Sequence, residues 1–133
     1  MTPARIIALV DDLMTVSRLE SAAQASGASI IFPSNEPELK QAIEQAENRS
    51  ALLLVGLATT RMPWTTLVPL SQSVAGTEGV KLRVVAFGPH MDLKLRQLAK
   101  DAGVEEIWAN SRLMTDLPKL LVDTQDYHDN KGT

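Results

Sequence analysis

Short, largely apolar runs alternate five times with segments of helical periodicity along this 133-residue chain. The runs occupy residues 6–10, 30–32, 51–57, 82–87 and 104–109. Strands buried on both faces read this way, and such strands belong to parallel sheets. Between them, Leu13, Val16, Leu19 and Ala23 repeat at helical spacing up to Gly27, a residue suited to the αL position after a helix. Leu39, Ile43 and Ala46 form a second stripe over residues 36–47. Pro37 lies in its first turn, and Asn35 with Glu38 makes a capping-box arrangement. A third helix carries Trp64, Leu67, Val68 and Val74, but Pro69 sits inside it, which predicts a kink or a start near Pro69. Met91, Leu95, Leu98, Ala99 and Ala102 make the inward stripe of a fourth, with Lys94, Arg96 and Lys100 facing solvent. Thr115 or Asp116 is expected to cap a last short helix through Pro118, Leu120 and Leu121. Strand–helix units with short connections imply a parallel sheet covered on both faces. One α/β domain is expected over residues 1–125, followed by a polar, disordered tail at 126–133.

Charge and composition exclude several functions. The net charge is −3, and three of the acids, Asp123, Asp126 and Asp129, fall in the last eleven residues, so the folded part is nearly neutral. A nucleic-acid binder carries a basic excess that displaces counterions from phosphates, so no direct nucleic-acid partner is expected. No apolar run approaches the roughly 18 residues of a membrane span, and residues 1–5 lead straight into the first strand without an apolar leader. With no cysteine there is neither a disulfide framework nor a thiolate nucleophile. A cytoplasmic location follows as the expectation. Phosphate-cradling glycine loops, nucleophile elbows and Cys/His metal spacings are all missing from the sequence.

In parallel α/β sheets ligands bind at the carboxyl ends of the strands. Those ends hold Asp11 and Asp12, Pro33 and Ser34, Gly56 to Ala58, Gly88 to His90, and Asn110 with Ser111. His90 titrates near neutrality and stands beside Asp92, but a histidine in such a loop more often just opens the next helix. Thr59, Thr60, Arg61, Thr65 and Thr66 compose a hydroxyl-rich loop that could receive an anion, and Trp64 and Trp108 are candidate interface anchors.

The run from Val10 to Leu19, an acidic pair after the first strand with a helix starting at once, resembles the opening of response-regulator receiver domains. Ala102-Gly103-Val104-Glu105-Glu106-Ile107 is similar to the run leading into that family's fifth strand. The resemblance covers residues 4–123 and implies the CheY-like, flavodoxin-like (βα)5 fold. It also implies a site of five groups: two acids and an acceptor aspartate that bind magnesium, a hydroxyl after the fourth strand, and a lysine after the fifth. Only Asp11 and Asp12 match. By the same alignment the acceptor falls on Gly56, the hydroxyl on Gly88 and the lysine on Asn110. The resemblance therefore implies a degenerate receiver that cannot form an acyl phosphate, has no cofactor or resident metal, and is not an enzyme. Asp11 and Asp12 remain as a vestigial pair, one of them read as a cap for the first helix. A phosphorylation-independent interaction module is expected, with a protein partner or a second copy of the chain as its ligand. The family's usual partner face would here comprise Lys94, Arg96, Gln97, Lys100, Trp108 and Arg112. The alternative is a small-molecule sensor using the pocket that the three replacements vacate.

Overall fold

A computed structural model describes residues 5–46, 49–59, 61–88 and 92–131, with side chains up to Leu120. Ten elements alternate along it: β1 Arg5–Leu9, α1 Leu13–Ala25, β2 Ile30–Ile31, α2 Glu36–Glu44, β3 Ser50–Gly56, α3 Trp64–Glu78, β4 Lys81–Gly88, α4 Leu93–Asp101, β5 Glu106–Ala109 and α5 Asn110–Lys131. All strand pairs are parallel and the sheet order is β2-β1-β3-β4-β5. β3 is central, and all seven of its residues are buried, as its uninterrupted apolar sequence requires.

Alternate side chains of the central strands feed two separate cores. Ile7, Leu9, Leu53, Val55, Val84 and Ala86 face α2, α3 and α4, meeting Leu39, Ile43, Leu67, Val68 and Ala99. Ile6, Ala8, Leu52, Leu54, Val85 and Phe87 face the other way, onto Leu19 and Ala23 of α1 and Leu113, Leu117 and Leu120 of α5. The period of two along a strand is what splits one sheet between two helical layers. Gly27 takes the expected left-handed conformation after α1, at φ +72°.

Three helices differ from the sequence expectation. α3 begins at Trp64 and runs through the proline, so of the two outcomes expected the late start near Pro69 does not occur. Pro69 removes one backbone donor, but Trp64, Leu67 and Val68 in the turns before it are all buried. Burying three large side chains offsets a helix-breaking cost of about 3 kcal/mol. α5 begins at Asn110, directly after β5, rather than at Thr115 or Asp116. Its buried stripe of Leu113, Leu117 and Leu120 starts ahead of those polar residues, and burial of Leu113 outranks a cap signal. The backbone also stays helical through Lys131, where a disordered tail was expected from residue 126. The third difference lies in α4: Leu98, expected to face inward, is 47% exposed, and Ala99 is the helix's buried residue. Met91 and His90 lie outside the described residues.

Among the described residues no helix is long and apolar enough to cross a membrane.

Candidate functional site

The carboxyl ends of β1, β3 and β4 and the first residue of α5 converge on one cleft. Asp11, Asp12, Thr15, Gly56, Thr59, Gly88 and Asn110 line it, together with Val10, Ala58 and Phe87, and it encloses ≈340 Å3. Topology thus brings together the four strand ends at which the resemblance placed Asp11, Asp12, Gly56, Gly88 and Asn110.

Each member of the acidic pair is engaged within the chain. The Asp12 carboxylate caps α1, accepting from the Thr15 backbone amide at 2.8 Å and from the Thr15 hydroxyl at 2.7 Å. These two hydrogen bonds, the hydroxyl's foremost, hold the Asp12 carboxyl below its ordinary value, and the charge of Arg18 adds to them. The sequence reading assigned one of the pair to helix capping, and Asp12 is that residue. Asp11 reaches the other way: its Oδ2 accepts from the Arg61 amide at 2.8 Å, tying the β3–α3 loop to the end of β1.

The two glycines are not empty places. A Cβ built on Gly56 would stand 2.9 Å from the Thr59 hydroxyl oxygen and 3.4 Å from Val10 Cγ2. Thr59 itself is buried, and its hydroxyl donates to the Leu9 carbonyl at 3.1 Å. A Cβ on Gly88 would stand 3.0 Å from Leu57 Cβ, because the Leu57 amide donates to the Phe87 carbonyl and draws that residue against β4. The residues after β3 therefore fold back over both glycine positions. The sensor expectation assumed that loss of three side chains opens volume; here Thr59 and Leu57 refill two of the three places. Of the hydroxyl-rich loop, the Thr59 hydroxyl and the Arg61 amide both face acceptors inside the chain. Thr60 lies outside the described residues.

Sequence reasoning named Thr59 only as part of a possible anion loop and missed its packing role. A small hydroxyl residue three positions after a strand-ending glycine is the signal that was available. Among the described residues no group of three or more acidic or imidazole side chains could hold a metal ion.

The expected partner face lies elsewhere. Lys94, Arg96, Gln97 and Lys100 are exposed on α4, where Leu93 (74%) and Leu98 (47%) are exposed beside them. Trp108 on β5 is half-buried against the α1–α5 core, and the Arg112 guanidinium stacks over its ring, 4.1 Å from the centroid. Beneath them Arg83 on β4 and Glu106 on β5 form a two-pronged ion pair, both contacts at 2.7 Å.

Solved structures with this architecture are numerous. A CheY-like response regulator receiver domain protein from Methanospirillum hungatei JF-1 matches with a TM-score of 0.72 at 15% identity, over 96% of this chain and 97% of that one. The fold is CheY-like. The receiver domain of a sensor histidine kinase from Pseudomonas aeruginosa PAO1, with magnesium coordinated in its active-site cleft, matches at TM-score 0.68 and 11% identity, over 91% and 96% of the two chains. A pilus assembly protein from Caulobacter crescentus CB15 matches at TM-score 0.51 and 16% identity, over 91% and 95%. Identities this low establish the fold and leave function to the residues of the site. No protein-family model matches the sequence, and no curated protein is significantly similar to it.

Proposed function

We propose that the chain is a phosphorylation-independent, receiver-like module in signalling or regulation, which works by binding a protein partner or a second copy of itself and catalyses no reaction. The observation that carries this reading is Gly56. The strand end beside the acidic pair has no side chain to accept a phosphoryl group, and the Thr59 hydroxyl occupies the space where one would start. The engagement of Asp11 with Arg61 and of Asp12 with Thr15 supports it further, since both carboxylates already serve internal structure. Gly88 supplies no hydroxyl and Asn110 no ammonium group. The fold itself does not choose a role, and it occurs in a pilus assembly protein as well as in receivers.

The α4–β5–α5 face is the working surface in this reading. Leu93 and Leu98 leave apolar area exposed among Lys94, Arg96, Gln97 and Lys100, with the Trp108–Arg112 stack as a further anchor. Exposed apolar residues bordered mainly by basic side chains, with Asp92 and Asp101 at the two ends of the helix, suit a partner surface of mixed, mostly acidic character. Reversing Arg96 and Lys100 to Glu should leave stability within about 0.5 kcal/mol, because both are solvated, and should weaken capture of partners or self-association. Association that survives the reversal unchanged would remove this face from the reading.

A second reading, a small-molecule sensor, rests on the ≈340 Å3 cleft. A thermal shift with a panel of metabolites, abolished by Asn110→Leu, would favour it.

A further inference from the structure

The sheet has two open edges, β2 and β5, and charge guards only one of them. At β5 stand Glu105 and Glu106, charged side chains of the kind that keep an open edge from pairing with another chain. At β2 no such residue is present: positions 21–35 hold no charged side chain, although 22% of the whole chain is charged. Ile30 and Ile31, with Phe32 after them, are each half-buried and so leave apolar surface at the edge. The backbone groups there point outward in a definite order. Ile30 is the register partner of Ile6, and the Ile6 amide donates to the Ser29 carbonyl at 2.9 Å. In a parallel ladder the groups facing the neighbour alternate, so Ser29 and Ile31 bond toward β1 while the amide and carbonyl of Ile30 face away. Continued one step, the alternation turns Phe32 outward and Pro33 inward. The amide that proline lacks is therefore missing on the β1 side, and the outer edge keeps its donors.

We propose that two copies of this chain associate through β2, edge to edge and antiparallel about a two-fold axis, joining two five-stranded sheets into one. Setting Ile30 of one copy against Phe32 of the other lets each such pair exchange both of its hydrogen bonds. It also places Ile31 opposite Ile31 on the axis, as a non-hydrogen-bonded pair whose side chains meet most closely. Two features of the edge select a second copy as the occupant. Outward donors and acceptors call for an extended backbone, which a helix or a small ligand does not supply. A two-fold axis sets the edge against itself, where like charges directly opposite one another are destabilising, so a self-pairing edge must be free of charge. Residues 21–35 meet that requirement. The end of α1 that leads into β2 exposes Gln24 and Ala25, which are uncharged as well. A foreign strand is steered and held in register by complementary charge, and this edge has none to offer. The pairing rests on the self-association branch of the interaction reading, deepens it, and uses neither the α4 face nor the cleft.

Because the native chain has no cysteine, a single introduced thiol reports on the axis without interference. Ile31→Cys should form a disulfide-linked dimer under mild oxidation, since the Cα atoms of a non-hydrogen-bonded pair lie about 4.5 Å apart, within disulfide reach. Gln97→Cys, exposed on α4, should not. Sedimentation velocity over a concentration series then compares Ile30→Pro with Ile30→Ala. Both lose the isoleucine side chain, but only proline loses the outward amide, and it leaves the bonds to β1 in place. Proline should weaken self-association about tenfold or more relative to alanine, because the two-fold removes a hydrogen bond from each copy. Hydrogen exchange needs no variant: in the wild-type chain the Ile30 and Phe32 amides should exchange more slowly as concentration rises. Three results would overturn the proposal: a wild-type chain monomeric at every concentration, Gln97→Cys linking as readily as Ile31→Cys, or proline associating no more weakly than alanine. Self-association lost on Arg96→Glu/Lys100→Glu yet kept in Ile30→Pro would also overturn it while leaving the α4 face standing, so the two readings fail separately.

Discussion

The Thr59 hydroxyl lies 2.9 Å from the point at which a side chain on Gly56 would begin. The two residues are therefore coupled: a larger residue at 56 must first displace Thr59 and break its hydrogen bond to the Leu9 carbonyl. Gly56→Asp alone should destabilise the chain by about 1–3 kcal/mol through overpacking, and Thr59→Ala alone by about 1 kcal/mol through the lost hydrogen bond. The double variant should cost clearly less than the sum, because removing the hydroxyl frees the space the new carboxylate needs. With a third carboxylate beside Asp11 and Asp12, the double variant should also bind magnesium more tightly than wild type. Urea denaturation and calorimetry read both effects. Strict additivity, or equal magnesium affinity, would contradict the geometry.

Incubation with acetyl phosphate or phosphoramidate and magnesium should add no phosphoryl mass to the wild-type chain. Gly56 offers no carboxylate at the end of β3, and the carboxylates of Asp11 and Asp12 are engaged by the Arg61 amide and by Thr15. Intact-mass spectrometry decides the matter, and a stable gain of one phosphoryl group on an aspartate would refute the proposed mode of action.

Asp12 should make stability depend on pH in one direction. Its carboxyl is held below the ordinary value by the Thr15 hydroxyl first and the Thr15 amide second. A lowered folded-state pKa means that the ionised cap contributes fully above the ordinary carboxylate range. The contribution is lost as pH falls through the lowered value, where folded and unfolded states both hold the proton. Asp12→Ala should therefore be less stable than wild type at neutral pH, with the gap narrowing in strongly acidic solution. Denaturation midpoints of the two proteins across pH 2–7 would show it, the range spanning the region in which about pH 4 is ordinary for a carboxylate. A gap that widens on acidification would rule out this role for the cap.

The ion pair between Arg83 and Glu106 is partly buried, with 16% and 35% of the side-chain surfaces exposed. Glu106→Ala should cost about 1–2 kcal/mol, below the value for a fully buried pair because Glu106 remains partly solvated. Replacing both, as Arg83→Met with Glu106→Leu, should recover most of that loss, since a half-buried apolar pair needs no desolvation. A double variant less stable than Glu106→Ala would show that the pair contributes more than its desolvation removes.

The order of elements was legible in the sequence because a doubly covered parallel sheet writes itself as uninterrupted apolar strands. The pattern in 51–57 leaves no other reading, and β3 is buried throughout. Asn35 with Glu38 was equally plain, and the Glu38 amide does donate to Asn35 at 2.9 Å. What escaped were features decided by tertiary contact. Leu98 shares the spacing of a core residue, yet α4 packs through Ala99, a small residue that lets the helix approach the sheet and turns its leucine outward. Polar signals at Thr115 and Asp116 were outweighed by Leu113, whose burial can be seen only once β4 and α5 are in place. At the candidate site the glycines were legible as missing side chains, while their refilling by Thr59 and Leu57 was not. A chain folding back on itself leaves no periodic trace.

No residue intervenes between the last position of β5, Ala109, and the first of α5, Asn110. The junction has no slack. The residue lining the cleft is also the first link of a 22-residue helix. At 1.5 Å per residue that helix is a lever about 33 Å long. A partner that shifts Asn110 pulls on its root, and a rotation of a few degrees there is enlarged to a displacement of ångströms at Lys131.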